Sequence, residues 1–293
     1  MLVAVLVAAS ACGGPTSATA SGPIKVVTGQ NFWGSIATQL GGTKAGVQSV
    51  VSDPNADPHE YESNTNDARA FADANFVILN GAGYDNWANK LLSANPNSQR
   101  TVLIAADLLG KKTGENPHFW YNPVFVTRMA DQITADYKSI DSSDAMYFDQ
   151  QRAAFTSVLK PYTQRLAEIK AKFSGVPVGA TESIFVYMAT YLGLNLTSPP
   201  AFMEAVAEGN DPPASAVIDF QNQITNRQVR VLVYNVQTTT AVTTNVKHLA
   251  ALADIPTVGV SETLQPESTT FQDWQLSQLL TLQNALNASA LSA

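Results

Sequence analysis

From Ile24 onward, short runs of β-branched and apolar residues alternate with longer amphipathic stretches, and this alternation constrains the fold more than any other feature. Such a pattern is typical of α/β architecture, in which helices separate the strands of a sheet. In the first half of the chain, the predicted strands are IKVVTG, VQSVVS, NFVILN and TVLIAA. The stretches that separate them, such as NDARAFADA and NWANKLLSA, are predicted helices.

The same pattern starts again in the second half of the chain. VPVGA, QVRVLVYN and PTVGVS are predicted strands, and ESIFVYMATYLG, TTNVKHLAALAD and FQDWQLSQLLTLQNAL are predicted helices. Between the halves, residues from Ser143 to Phe173 have helical periodicity, and Pro161 predicts a break or kink there because proline lacks an amide hydrogen. We therefore predict an α/β fold with two lobes and parallel sheets, residues 24–142 and 175–293, joined by a linking helical region at residues 143–174.

The chain begins with a short apolar run, MLVAVLVAASAC, that ends at its single cysteine, Cys12. The run is too short to span about 30 Å of bilayer hydrocarbon, so residues 1–12 are predicted to be a signal peptide and residues 13–23 a flexible tether. ASAC resembles the lipobox of bacterial lipoproteins, which implies a lipidated Cys12 and an extracytoplasmic protein anchored to the cell membrane. A start codon further upstream would explain why no Lys or Arg precedes the run. The alternative is a buried free cysteine in an N-terminal helix.

Composition excludes several classes of function. Apolar residues make up 45% of the chain and charged residues 14%, which excludes a disordered protein and fits compact globular domains. The net charge of -7, without a basic patch, argues against a nucleic-acid binder, because phosphate contacts require clustered Lys and Arg. With one cysteine, the chain forms no internal disulfide.

Two histidines and two glutamates fall where a predicted strand gives way to a helix. His59 in DPHEYE and His118 in NPHFWYNP follow strands of the first lobe, and a proline before each restricts the loop. Glu182 in TESIFVYMATYLGL and Glu262 in VSETLQP follow strands of the second lobe. Open α/β sheets bind ligands beyond the carboxyl ends of their strands, so these side chains can converge between the lobes.

Two neutral imidazoles and two carboxylates would neutralise a divalent cation in a shielded site. The sequence therefore suggests a metal site formed by His59, His118, Glu182 and Glu262. Taken singly, each residue has a simpler interpretation, since a loop histidine is more often solvated and the helix dipole favours a glutamate at a helix start. The wide spacing of the four residues matches no local zinc motif, so both interpretations stay open at this point. The third histidine, His248, lies on a predicted amphipathic helix and is expected to be exposed.

The segments DPHEYE, NPHFWYNP, TESIFVYMATYLGL and VSETLQP resemble the four ligand segments of the metal-binding solute-binding lipoproteins of bacterial zinc and manganese ABC importers. The resemblance extends from about Ile24 to Leu286 and includes LNGAGYDNW and VRVLVYNVQ. It implies two (β/α) lobes joined by a long bridging helix, with a metal in the interlobe cleft bound by His59, His118, Glu182 and Glu262. The fourth ligand of that family is usually aspartate, and Glu262 stands at that position here.

The resemblance also implies a function. The protein would capture a divalent metal ion as transported cargo, deliver it to the membrane permease of an ABC importer, act as a monomer and have no enzymatic activity. The third ligand is histidine in many zinc members and glutamate in many manganese members, so Glu182 favours manganese, whereas the Irving–Williams order favours zinc. The stiff bridging helix predicts that release involves local loop movement more than a wide hinge.

The residues alone leave two other classes of function open. An extracellular metal-dependent hydrolase would also use His and Glu, but it needs an open coordination position and a general base. HEYE, at His59, looks like the start of a metalloprotease motif, yet Ser63 stands where HExxH requires its second histidine. A binding protein for an organic solute would favour aromatic and Arg-rich cleft walls, and the four candidate segments contain no arginine.

Overall fold

The computed structural model describes residues 22–55 and 58–291 and contains two separate β-sheets. The predicted signal peptide, Cys12 and most of the predicted tether lie outside the described residues. None of the helices within the described ranges combines the length and the apolarity that a membrane span requires.

The first lobe is built on a parallel sheet with the strand order β2-β1-β3-β4. Its strands are β1 Ile24–Gln30, β2 Ala45–Val51, β3 Phe76–Leu79 and β4 Thr101–Ile104, and its helices are α1 Asn31–Gly41, α2 Thr65–Asp73, α3 Asn86–Ala94, α4 Ala105–Leu109 and α5 Pro123–Ile140. Strand β3 is buried on both faces, since Phe76 and Ile78 join one apolar cluster while Val77 and Leu79 join another. This burial explains why the strand is a continuous apolar run in the sequence.

The second lobe repeats this topology with the strand order β6-β5-β7-β8, again fully parallel. Its strands are β5 Pro177–Ala180, β6 Asn195–Leu196, β7 Val231–Asn235 and β8 Thr257–Val260, and its helices are α8 Val186–Leu192, α9 Pro200–Ala207, α10 Ala214–Thr225, α11 Ala241–Leu252 and α12 Phe271–Leu291. The predicted α/β fold with two lobes and parallel sheets is confirmed. Strand β6 was not predicted, because two residues are too few to show a periodicity.

Two consecutive helices, α6 Ala145–Val158 and α7 Lys160–Phe173, connect the lobes. The linking region is therefore not one continuous helix, and its interruption lies at Leu159, two residues before the proline that predicts a break. Pro161 falls in the first turn of α7, where a missing amide hydrogen costs no helical hydrogen bond. Helix α6 packs against α1 and α5 of the first lobe, and α7 packs against α8 and α12 of the second.

One apolar core runs through both lobes and through the linking helices. It contains Phe32 and Trp120 of the first lobe, Ile169 of α7, and Val233 and Trp274 of the second lobe. All five side chains are at most 2% exposed. The lobes therefore share a packed interior, which restrains their movement as separate bodies.

Helix α12 also crosses from the second lobe to the first. At its start, the backbone N–H of Phe271 donates to the Ser35 hydroxyl at 2.9 Å. The side-chain amides of Gln39 and Gln272 donate to each other's oxygens at 3.1 and 2.9 Å. These polar contacts reinforce the apolar connection between the lobes.

Candidate metal centre

His59, His118, Glu182 and Glu262 come together between the two lobes, as the sequence predicts. One potential ligand atom from each residue lies within 4.8 Å of those of the other three. The side chain of His59 is 26% exposed, whereas the other three residues are at most 1% exposed. The cluster is therefore almost fully buried, with its solvent contact at His59.

His59 lies in a short 3-10 turn between β2 and α2. The chain beyond it is fixed by a capping box at the start of α2, in which the Asn64 side chain accepts the backbone N–H of Asp67 at 3.4 Å. Asp67 in return accepts the backbone N–H of Asn64 at 2.7 Å, and it also accepts the Tyr61 hydroxyl at 2.8 Å. These bonds anchor one end of the loop without engaging the imidazole of His59.

His118 is oriented by Asn116. The side-chain oxygen of Asn116 accepts the backbone N–H of His118 at 3.0 Å and lies 2.7 Å from its Nδ1. Because an amide oxygen only accepts, Nδ1 carries a hydrogen, and Nε2 is the atom left for a metal. The amide nitrogen of Asn116 donates to the carbonyl of Ser183 in the second lobe at 2.7 Å. The orientation of His118 is thus tied to both lobes.

Glu182 and Glu262 bring their Oε1 atoms next to the imidazoles from the ends of β5 and β8. Nε2 of His118 lies 3.6 Å from Oε1 of Glu182 and 3.1 Å from Oε1 of Glu262. Nε2 of His59 lies 3.8 Å from Oε1 of Glu262. Tetrahedral ligands at ordinary zinc distances are about 3.4 Å apart. These separations therefore suit one small cation at the centre of the cluster.

Two further side chains hold the carboxylates. Nδ2 of Asn235, at the end of β7, lies 2.9 Å from Oε2 of Glu182 and 2.9 Å from Oε1 of Glu262. The Tyr84 hydroxyl donates to Oε2 of Glu262 at 2.7 Å. Neither Asn235 nor Tyr84 was predicted to belong to the site. Asn235 could have been identified as a candidate, since it is a polar residue at the carboxyl end of a predicted strand. For Tyr84, the sequence offers only its location in LNGAGYDNW, one of the segments that resemble the family.

Tyr84 reaches the cluster through an unusual turn after β3. Residues 81–83 all have positive φ, at 75°, 56° and 98°, a backbone region that favours glycine and strains Ala82. Buried Asp85 stabilises this turn by accepting the backbone N–H groups of Asn80 at 2.6 Å and Gly81 at 2.8 Å. Burial raises the pKa of Asp85, although these hydrogen bonds oppose the shift.

The two carboxyl groups differ in protonation. Burial, together with the charge of Glu262, raises the pKa of Glu182 to about 8. Burial also disfavours the ionised form of Glu262, but the imidazoles of His118 and His59 outweigh that effect and hold its pKa well below the usual range. Without metal, the pair therefore keeps one proton at neutral pH, on Glu182.

A cavity of about 690 Å³ adjoins the cluster. It is lined by His59, Tyr84 and Asn116 of the first lobe and by Ser183 and parts of α8 and α9 of the second. Among the four residues of the cluster, His59 is the one that lines this cavity. The cavity therefore offers a route between solvent and the buried ligand atoms.

Two parallel α/β lobes that enclose a polar cluster between them define the class of two-lobed binding proteins, whose ligand site lies in the cleft. The family model described as ZnuA, zinc-uptake complex component A, periplasmic, matches residues 26–285. The chain belongs to this family, as the sequence resemblance implies.

Individual relatives agree with this assignment. The chain is 26% identical over 212 residues to the metal ABC transporter substrate-binding lipoprotein FimA of Streptococcus parasanguinis, covering 66% of this chain and 67% of that protein. It is 27% identical over 217 residues to the manganese ABC transporter substrate-binding lipoprotein PsaA of Streptococcus pneumoniae, with the same shares of each chain.

Solved structures show the same fold. The periplasmic zinc binding protein TroA of Treponema pallidum matches with a TM-score of 0.76 and 13% identity, over 90% of this chain and 99% of that one. The Cd-bound periplasmic metal binding protein of Candidatus Liberibacter asiaticus matches with a TM-score of 0.73 and 15% identity, over 89% of this chain and 98% of that one. At such low identities the likeness supports the two-lobed fold alone.

Proposed function

We propose that this protein captures a divalent transition-metal ion, Mn²⁺ or Zn²⁺, outside the cytoplasm and delivers it to the permease of an ABC importer. The observation that carries this proposal is the convergence of His59, His118, Glu182 and Glu262, with ligand atoms within 4.8 Å of one another. Oε1 of Glu182 is buried and accepts no hydrogen bond in the described part of the chain, as expected of an atom that binds a cation. The names of FimA and PsaA support the transport role.

The donor set is compatible with both metals. Two imidazole nitrogens and two carboxylate oxygens suit tetrahedral zinc, while carboxylates that bind through both oxygens would suit the higher coordination of manganese. The family description refers to zinc uptake, and PsaA is named for manganese. The cargo therefore has to be determined by competition between the two metals.

A binding role fits the site better than the two rival functions. Four protein ligands would fill the coordination sphere of a tetrahedral ion, which leaves no position for the activated water of a hydrolase. An organic anion would call for cationic cleft walls, and the described residues that line the cavity include no arginine. The protein would act on its cargo by binding and release, without chemical conversion.

We propose the following organisation for the whole chain. A signal peptide, residues 1–12, would end at lipidated Cys12, and residues 13–23 would tether the lobes to the membrane as a monomer beside its permease. The lobes would be residues 24–142 and 175–293 around the link at 143–174. The lipoprotein names of FimA and PsaA support the anchor, and the separate packing of α6 and α7 supports the division.

Elemental analysis of the purified protein tests the proposed function. Metal-stripped protein is loaded with equal Mn²⁺ and Zn²⁺, and we expect about one bound metal per chain, as for other single metal sites. His59→Ala and Glu182→Ala should lose this metal, whereas His248→Ala, which changes an exposed histidine on α11, should keep it. Absence of stoichiometric metal, or equal retention in all three variants, would disprove the proposal.

A further inference from the structure

Each carboxylate of the cluster has one oxygen held by a donor from another structural element. Nδ2 of Asn235 donates to Oε2 of Glu182 at 2.9 Å, and the Tyr84 hydroxyl donates to Oε2 of Glu262 at 2.7 Å. Asn235 is 2% exposed and Tyr84 is 4% exposed. Because water has little access to these donors, the two hydrogen bonds hold the carboxylates in fixed orientations.

The other oxygen of each carboxylate faces the imidazoles. Oε1 of Glu182 lies 3.6 Å from Nε2 of His118 and accepts no hydrogen bond in the described part of the chain. Oε1 of Glu262 lies 3.1 Å from the same nitrogen and also accepts from Asn235 at 2.9 Å. Oε1 of Glu262 nevertheless faces the imidazoles, whereas Oε2 of the same residue faces the Tyr84 hydroxyl. Each glutamate therefore presents one oxygen to the centre of the cluster.

Asn235 is itself held in place by its neighbours. Its side-chain oxygen accepts the backbone N–H of Gln237 at 3.0 Å, which sets the plane of the amide. Its nitrogen also lies 3.0 Å from the hydroxyl oxygen of Thr238. The amide therefore has little freedom to turn away from Glu182 and Glu262.

We propose that Asn235 and Tyr84 are positioning residues that restrict Glu182 and Glu262 to one metal-bound oxygen each. This inference rests on the proposed function, and it concerns which ion the site accepts. Four protein ligand atoms, two nitrogens and two oxygens, suit a tetrahedral ion such as Zn²⁺, whereas Mn²⁺ favours more oxygen ligands. The site would thus select against manganese because it offers only four ligand atoms. This selection opposes the preference for manganese that a glutamate at position 182 implies by resemblance to the family.

Two variants test this role. Tyr84→Phe removes the hydroxyl that donates to Oε2 of Glu262. Asn235→Leu replaces the amide that donates to Oε2 of Glu182 and Oε1 of Glu262 with an apolar group of similar volume. Each substitution keeps most of the packing. Tyr147→Phe is the matched control, because the Tyr147 hydroxyl contacts Thr43 on the first lobe and is absent from the cluster. All four proteins are loaded with Zn²⁺ or Mn²⁺ alone and studied by X-ray absorption spectroscopy and competition binding.

The wild type and Tyr147→Phe should bind zinc through about four N and O atoms. In Tyr84→Phe and Asn235→Leu, the number of N and O atoms bound to zinc should rise to five or more. The ratio of manganese affinity to zinc affinity should rise by about tenfold, which is the lower end of the effects seen when partners of metal ligands are removed. Five or six zinc ligands in the wild type, or equal losses of both affinities with unchanged coordination in the variants, would overturn the inference while leaving the proposed function intact. Absence of metal from the wild type would overturn both.

Discussion

Tyr84 of the first lobe and Glu262 of the second are joined by a hydrogen bond of 2.7 Å at the candidate metal centre. His118 adds a second contact from the first lobe to Glu262 at 3.1 Å. Next to them, the Tyr121 hydroxyl donates to the carbonyl of Ser261 at 2.9 Å. The segment that carries Glu262 is therefore held from the opposite lobe, and its position depends on loops of both lobes.

The stability of the metal-free protein should fall as pH rises from 5.5 to 8.5. The pKa of Glu182 is raised to about 8 in the folded protein, so this residue contributes stability below its ordinary pKa, and the contribution is lost as pH rises towards 8. Glu182→Gln cannot ionise and should show a flatter decline in melting temperature over this range. Glu204→Gln, which changes an exposed residue on α9, should follow the wild type. Identical pH profiles for all three proteins would contradict the assignment.

Metal binding should release a proton at pH 7. A cation displaces the proton that Glu182 holds in the metal-free state, so we expect about one more proton released per metal at pH 7 than at pH 9. Isothermal titration calorimetry in buffers of different ionisation enthalpy measures this number directly. A proton count that is the same at both pH values would show that Glu182 is already ionised before metal binds.

Asp85→Asn should destabilise the protein and weaken metal binding. An asparagine has one acceptor oxygen for the buried N–H groups of Asn80 and Gly81, and leaving one of them unpaired costs about 1–3 kcal/mol. Urea unfolding measures the loss, and metal titration measures the effect on the loop that carries Tyr84. Asp73→Asn, at a side chain that is 73% exposed, should change stability by less than about 0.5 kcal/mol. Equal effects of the two substitutions would contradict this role for Asp85.

Trp274→Ala should lower the stability of both lobes together. Trp274 is 2% exposed and belongs to the core shared by the lobes, and truncation of such a residue costs about 3–5 kcal/mol. Differential scanning calorimetry should show a single transition at lower temperature. The control Leu252→Ala changes a residue that is 69% exposed and should leave the melting temperature almost unchanged. Two separate transitions in Trp274→Ala would show that the lobes unfold independently.

Much of the fold could be predicted from local patterns. The β-branched runs became parallel strands because both faces of each sheet are covered, as the buried strand Phe76–Leu79 illustrates. Their position after strands marked the four residues of the cluster as candidates, because side chains of neighbouring strands meet there. The resemblance to metal-binding lipoproteins then decided between a metal site and ordinary loop residues. Pro161 correctly predicts an interruption in the linking helices, although the interruption lies at Leu159, two residues before the proline.

The partners of the carboxylates could not be predicted in the same way. Asn235 lies between Glu182 and Glu262 because β7 stands between β5 and β8, an order that the sequence of strands along the chain does not reveal. Tyr84 reaches Glu262 only because residues 81–83 have positive φ and because the lobes face each other. The position of Asn235 at the carboxyl end of a strand marks it as a possible site residue, but the two contacts themselves depend on tertiary geometry that periodicity does not show.

The core shared by the lobes also determines how a fluorescent reporter should be built on this scaffold. A donor and an acceptor dye, one on each lobe, report a change in distance, and a common interior that includes Phe32 and Trp274 resists such a change. A single environment-sensitive dye at exposed Thr113, which lines the cavity beside His59, would instead respond to local rearrangement. For this protein, the useful optical signal therefore comes from the surroundings of the loop that contains Thr113 and not from the distance between the lobes.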